Sequence, residues 1–142
     1  MTRVLILCTG NSARSQMAEG LLRAMAPELD VQSAGTVPAA QVNPFAVRAM
    51  AEIGMDISGA RPKSVHQFLP EHFDFVVTVC AEADRDCPAF IGQTGRRVHV
   101  GFEDPARAQG SEQEVLAEFR RIRDQIRGRF KRLYEDEIKN EQ

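Results

Sequence analysis

At 142 residues the chain is sized for one domain, expected to span 1–142, with enough interior to fold without covalent staples. Charged residues make up 27% against 43% hydrophobic, and the net charge is −2, so nothing gives footing to a nucleic-acid or membrane partner. The apolar run at 4–7 is too short for a leader or a membrane span, so a reducing cytoplasm is expected, where three cysteines would not form a permanent disulfide framework.

Residues 4–8 are continuously apolar, as in a strand buried on both faces. A helix over 15–25 follows, with Met17, Leu21, Leu22 and Met25 on one side and Pro27 stopping it. Residues 31–34 form a short strand ending at Gly35. Asn43-Pro44 is an N-cap followed by proline at the first helical position, and Gly54 closes that helix. Ser64 caps a short turn carrying Val65 and Phe68. Residues 73–80, rich in Val and Phe, are the next strand, and 97–100 a shorter one. The last element is a helix over 111–134 with a stripe of Val115, Phe119, Ile122, Ile126, Phe130 and Leu133. Its arginines alternate with Glu112, Glu114, Glu118 and Asp124, which reads as a solvated face. Strands alternating with helices imply a parallel sheet covered on both sides, with ligands held beyond the carboxyl ends of the strands. Cys8 and Cys80 both finish strands at that edge.

Between the first strand and helix lies Cys8-Thr9-Gly10-Asn11-Ser12-Ala13-Arg14-Ser15. A tight strand-to-helix turn can aim successive backbone N–H groups into one concavity, where a helix N-terminus adds positive potential. Gly10 permits the turn, Asn11 tolerates a left-handed conformation, and Arg14 offers a planar fork for two oxygens of a tetrahedral oxyanion. The Cys8 sulfur is expected at the bottom of this cradle, ionised by the same field. Ser15 is expected both to donate to that sulfur and to cap the helix.

The segment CTGNSARSQMAE at 8–19 resembles the phosphate loop of the low-molecular-weight tyrosine phosphatase fold, in its arsenate reductase branch. Further matches are VQSAG at 31–35, NPFAVRAM at 43–50, DFVVTVCAEADRDCP at 74–88 and GFEDPA at 101–106. The resemblance implies a single-domain α/β, flavodoxin-like three-layer sandwich with a four-stranded parallel sheet and helices on both faces. It also implies reduction of arsenate to arsenite by a cytoplasmic monomer, with thioredoxin as electron donor and no cofactor. Cys8 would then be the nucleophile, Arg14 the oxyanion ligand and Asp104 the general acid.

Cys80 and Cys87 are separated by six residues, neither a zinc spacing nor a Cys-x-x-Cys pair. The residues between them favour a helix, in which positions seven apart lie about 10.5 Å apart along the axis. A disulfide spans at most about 6.8 Å between α-carbons, so joining the two must unwind that helix. The residues and the family together suggest a relay: Cys80 attacks Cys8 to release arsenite, and Cys87 then takes the disulfide from Cys80. Some members of the family bind potassium with residues matching Asn11, Glu19 and Ser33. Here Arg61 and Lys63 stand where those members complete the site, so the Lys63 ammonium is expected to replace the ion, and no metal is expected. Two other functions would use part of this set. A phosphatase needs the loop and Asp104 but not Cys80 and Cys87, and a thiolate binder of soft ions does not need Arg14, Ser15 or Asp104.

Overall fold

The computed structural model describes residues 1–86 and 95–141. Its centre is β1, Arg3–Cys8, whose Val4, Leu5, Ile6 and Leu7 are fully buried. A strand with apolar side chains on both faces must be covered on both, and β1 accordingly lies inside the sheet. It pairs in parallel with β2, Asp30–Gly35, on one side and with β3, Phe75–Thr78, on the other. Beyond β3 lies β4, Arg96–His99, also parallel, giving the order β2-β1-β3-β4. The register sets Cys8 opposite Gly35, Leu7 opposite Thr78, and Thr78 opposite His99. The carboxyl ends of all four strands therefore meet at one edge, the edge that the alternating pattern singled out.

The third strand is shorter than the expected 73–80. After Thr78 the chain makes one last bond to β1, from the Val79 N–H to the Leu7 carbonyl at 2.9 Å, and then turns into α3, Ala81–Asp86. The helix expected after Cys80 is thus present, and Cys80 is the residue that opens it. Cys87 lies outside the described residues.

Helix α1, Arg14–Met25, follows β1. Helix α2, Pro44–Ala51, begins where the Asn43 side chain accepts from the Phe45 N–H at 2.8 Å, as the Asn-Pro pair predicts. Helix α4, Glu112–Leu133, opens with a reciprocal capping box between Ser111 and Glu114. Its core-facing stripe is Leu116, Phe119, Ile122, Ile126, Phe130 and Leu133, each buried apolar side chain contributing about 1.5–3 kcal/mol. Val115 is only partly buried, so Leu116 takes the place expected for it. The helical path runs on past 134, through Tyr134–Ile138 and Lys139–Glu141, because Ile138 supplies one more fully buried anchor.

One arginine of α4 departs from the expected solvated face. Arg123 is buried, donates to the Ala49 carbonyl at 2.8 Å and to Glu52 at 3.0 Å, and so fastens α4 to the end of α2. Arg120 grips the same Glu52 carboxylate, which is held down to about 2 by those two guanidiniums despite some desolvation. Charge alternation along a helix does not reveal which cation finds a carbonyl on its neighbour.

Candidate active site

The loop from Cys8 to Ser15 joins β1 to α1, and its shape follows from where its carbonyls go. The carbonyls of Cys8, Thr9, Gly10 and Ser12 accept from the N–H groups of Thr36, Val37, Ala39 and Asn43, at 2.8–3.1 Å. In a planar trans peptide, C=O and the following N–H point opposite ways. Turning these carbonyls toward 36–43 therefore turns the loop's N–H groups away from that segment, into the concave side. Asn11 has φ of 52°, the left-handed conformation expected for it, and this reversal completes an anion-binding nest. Gly35 is required by the same closeness: a Cβ there would lie 2.4 Å from the Thr9 carbonyl oxygen.

Asn11 does more than adopt a turn. It is fully buried, donating from Nδ2 to Ser15 Oγ at 2.8 Å and Ser33 Oγ at 2.9 Å. Its Oδ1 accepts from the Lys63 N–H at 2.9 Å and from Gln16 at 3.2 Å. Ser15 is thereby engaged, and its expected cap is not formed: Ala13 is the N-cap of α1, with no side-chain cap bond. A serine one residue inside the helix points its hydroxyl back at the preceding turn, where Asn11 waits.

Cys8 and Cys80 are both almost fully buried, at the carboxyl ends of neighbouring strands, near enough for each thiol to act on the other's ionisation. Cys80 Sγ also lies 3.4 Å from Thr9 Oγ1 and accepts from the Ala83 N–H at 3.4 Å, so it caps the first turn of α3. The Cys80 thiol is pulled down first by the neighbouring Cys8, then, against burial, by Thr9, the Ala83 N–H and the Arg14 charge. The Cys8 thiol is pushed up, first by the neighbouring Cys80 and then by burial, while Arg14 pulls the other way.

Arg14 is mostly buried, donates to the Phe102 carbonyl at 3.0 Å, and lies 3.7 Å from Asp104 Oδ2. Asp104 accepts from the Ala106 N–H at 3.0 Å, capping the short turn Pro105–Arg107 and fixing its carboxylate beside Arg14. Together these groups border a cleft of about 370 Å³ lined by Thr9, Arg14, Ala81, Glu82, Phe102, Asp104 and Arg107. The structure therefore brings together Cys8, Thr9, Arg14, Cys80 and Asp104, from three loops at one sheet edge. Phe102, Glu82 and Arg107 were not read from the sequence. Only Phe102 carried a signal, lying two residues before Asp104.

Lys63 Nζ lies 3.4 Å from Glu19 Oε1, and Arg23 lies 3.5 Å from the other oxygen of that carboxylate. The Asn11 amide turns its Nδ2 toward Ser33, and its Oδ1 is already occupied by Lys63 and Gln16. These residues do not fit a potassium ion, since their oxygens are taken by the protein's own donors. Among the described residues no group of three or more His, Cys, Asp or Glu is placed to hold a metal.

A parallel α/β sheet with a cysteine, an anion nest and an arginine at its first strand end defines a class of proteins that act on tetrahedral oxyanions. The family model for low molecular weight phosphotyrosine protein phosphatases matches residues 3–142, and the chain belongs to that family. The arsenate reductase of Halalkalibacterium halodurans is 49% identical over 133 residues, 93% of this chain and 94% of that protein. The arsenate reductase of Bacillus subtilis is 45% identical over 133 residues, with the same shares. A solved arsenate reductase in the phosphate binding state is similar with a TM-score of 0.79 and 29% identity, covering 94% of this chain and 96% of that one.

Proposed function

We propose that this chain is a cytoplasmic, monomeric arsenate reductase that works by a relay of three thiols and is recharged by thioredoxin. The observation that carries the reading is the placement of Cys8 and Cys80, two buried cysteines at the carboxyl ends of neighbouring parallel strands, with Cys80 Sγ 3.4 Å from the hydroxyl of Thr9, the residue after Cys8. Phosphate-ester hydrolysis needs one nucleophilic sulfur. A second buried sulfur beside the first serves electron transfer. The similarity to arsenate reductases over nearly the whole chain supports the same choice.

Arsenate enters the nest, where the N–H groups of 9–15 and the Arg14 guanidinium take its oxygens. Cys8 attacks arsenic as its thiolate, and Asp104 protonates the oxygen that leaves as water. The Cys80 thiolate then attacks the Cys8 sulfur. The Cys8–Cys80 bond forms, the sulfur–arsenic bond breaks with its electron pair going to arsenic, and arsenite departs. Two thiols have become one disulfide as arsenic gains two electrons. Cys87 attacks Cys80 next, forming Cys80–Cys87 and returning Cys8 as a thiolate. Thioredoxin reduces the Cys80–Cys87 disulfide. Weak hydrolysis of phosphate esters accompanies this activity, because the loop and Asp104 serve either oxyanion.

Arsenate-dependent NADPH consumption, coupled through thioredoxin and its reductase, tests the reading. The unaltered chain turns over many times and Cys87→Ser about once. Sustained turnover by Cys87→Ser, or none by the unaltered chain, contradicts it.

A further inference from the structure

The relay needs α3 to hold Cys80 against Cys8 and later to come apart, and one residue of α3 is tied to the sheet more firmly than the rest. Asp84 Oδ1 accepts from Thr78 Oγ1 at 3.1 Å. Thr78, buried at the end of β3, is in turn 2.8 Å from Nδ1 of His99, its partner across the β3–β4 ladder. A hydroxyl has one hydrogen to give. When Thr78 gives it to Asp84, His99 Nδ1 is the donor to Thr78, and the chain runs His99 to Thr78 to Asp84. Arg97, also on β4, donates to the Asp84 carbonyl at 3.2 Å and lies 3.9 Å from its carboxylate. Gly101 leaves room for the His99 ring, since a Cβ there would lie 3.0 Å from Nε2.

The same residue reaches back to the reacting sulfur. The Asp84 N–H donates to the Cys80 carbonyl at 3.1 Å, in the turn whose Ala83 N–H donates to Cys80 Sγ. One turn of helix thus runs from Cys80 to a carboxylate clamped by β3 and β4. Bonding Cys80 to Cys8 takes up the sulfur that the Ala83 N–H was holding. Among the described residues the bonds at Asp84 are then the side-chain hydrogen bonds that hold α3 to β3 and β4.

We infer that the Asp84–Thr78–His99 chain, with Arg97, is a latch that positions Cys80 for its attack on Cys8 and delays unwinding of α3 for the attack by Cys87. The inference rests on the relay reading of the site. In the delayed step the Cys80–Cys87 bond forms as the Cys8–Cys80 bond breaks, Cys8 leaves as thiolate, and the proton given up by Cys87 goes to solvent. No electrons leave the chain. The latch affects the two transfers in opposite directions, whereas a residue that merely stabilises the fold does not.

Single-turnover measurements with stoichiometric arsenate separate the steps. Arsenite release in the Cys87→Ser background reads the first. Recovery of Cys8 toward an alkylating reagent, in the chain that keeps Cys87, reads the second. Asp84→Ala and Thr78→Val are each expected to slow arsenite release and speed Cys8 recovery by about three- to ten-fold, the worth of one partly exposed hydrogen bond. Thr78→Ser, which keeps the hydroxyl, restores both rates. Both rates unchanged, or both shifted the same way, overturns the latch. If Cys87→Ser alone sustains many turnovers, the relay reading itself fails, a result distinguishable from loss of the latch.

Discussion

The two sides of the cleft are built on opposite principles. On one side the loop at 8–15 is held by four backbone bonds to 36–43 and by Asn11, whose buried amide makes bonds to Ser15, Ser33, Gln16 and Lys63. On the other side α3 is six residues long and is fixed by a few side-chain bonds centred on Asp84. A helix this short is not stable by itself and persists only through its tertiary ties. The nest must keep one shape to hold an oxyanion, and its polar groups are over-determined. In the proposed relay α3 must release Cys80, and among the described residues its side-chain ties are few.

The comparison is broken most directly at Asn11. Asn11→Ala leaves buried hydroxyls and the Lys63 N–H without their partner and removes the residue suited to the left-handed turn. A loss of about 3 kcal/mol or more in urea unfolding is expected, against about 1 kcal/mol for Asp84→Ala. Equal losses would mean that the two sides are not differently built. Asp104→Asn tests the rim between them. It keeps the cap on Ala106 but cannot give up a proton, so kcat should fall about a hundredfold with stability nearly unchanged. A fall of less than about threefold would remove Asp104 from the chemistry. The smallest expected effect concerns the cation beside the loop. With Lys63 on Glu19, exchanging sodium for potassium should leave kcat/KM unchanged, and strong activation by potassium would show that the ammonium does not fill that place.

Much of the nest was legible in the sequence because its parts are neighbours along the chain. Cys8, Gly10, Asn11 and Arg14 lie within seven residues, and the strand before and helix after them follow from local pattern. Cys80 was legible by a different route: it ends a strand, and parallel strands end at one edge. What could not be read depends on partners far away in sequence. The hydroxyl of Ser15 is taken by Asn11, which is itself anchored by Ser33 and Lys63, so the local expectation of a cap fails. The influences that pull the Cys80 thiol down, from Cys8 across the sheet edge and from the Ala83 N–H, arise only once the strands are assembled. The tie of His99 to Thr78 appears only once β3 and β4 are in register. Arg123 looked like one charge among many until α2 supplied the Ala49 carbonyl.

The account stands on two buried sulfurs able to bond directly to each other after one encounter with arsenate. Peptide mapping of Cys87→Ser, after a single stoichiometric turnover and rapid acid quench, measures this. The account predicts a disulfide between Cys8 and Cys80 in an amount equal to the arsenite released. Arsenite released with both thiols still free, or a disulfide that joins two chains, would contradict it.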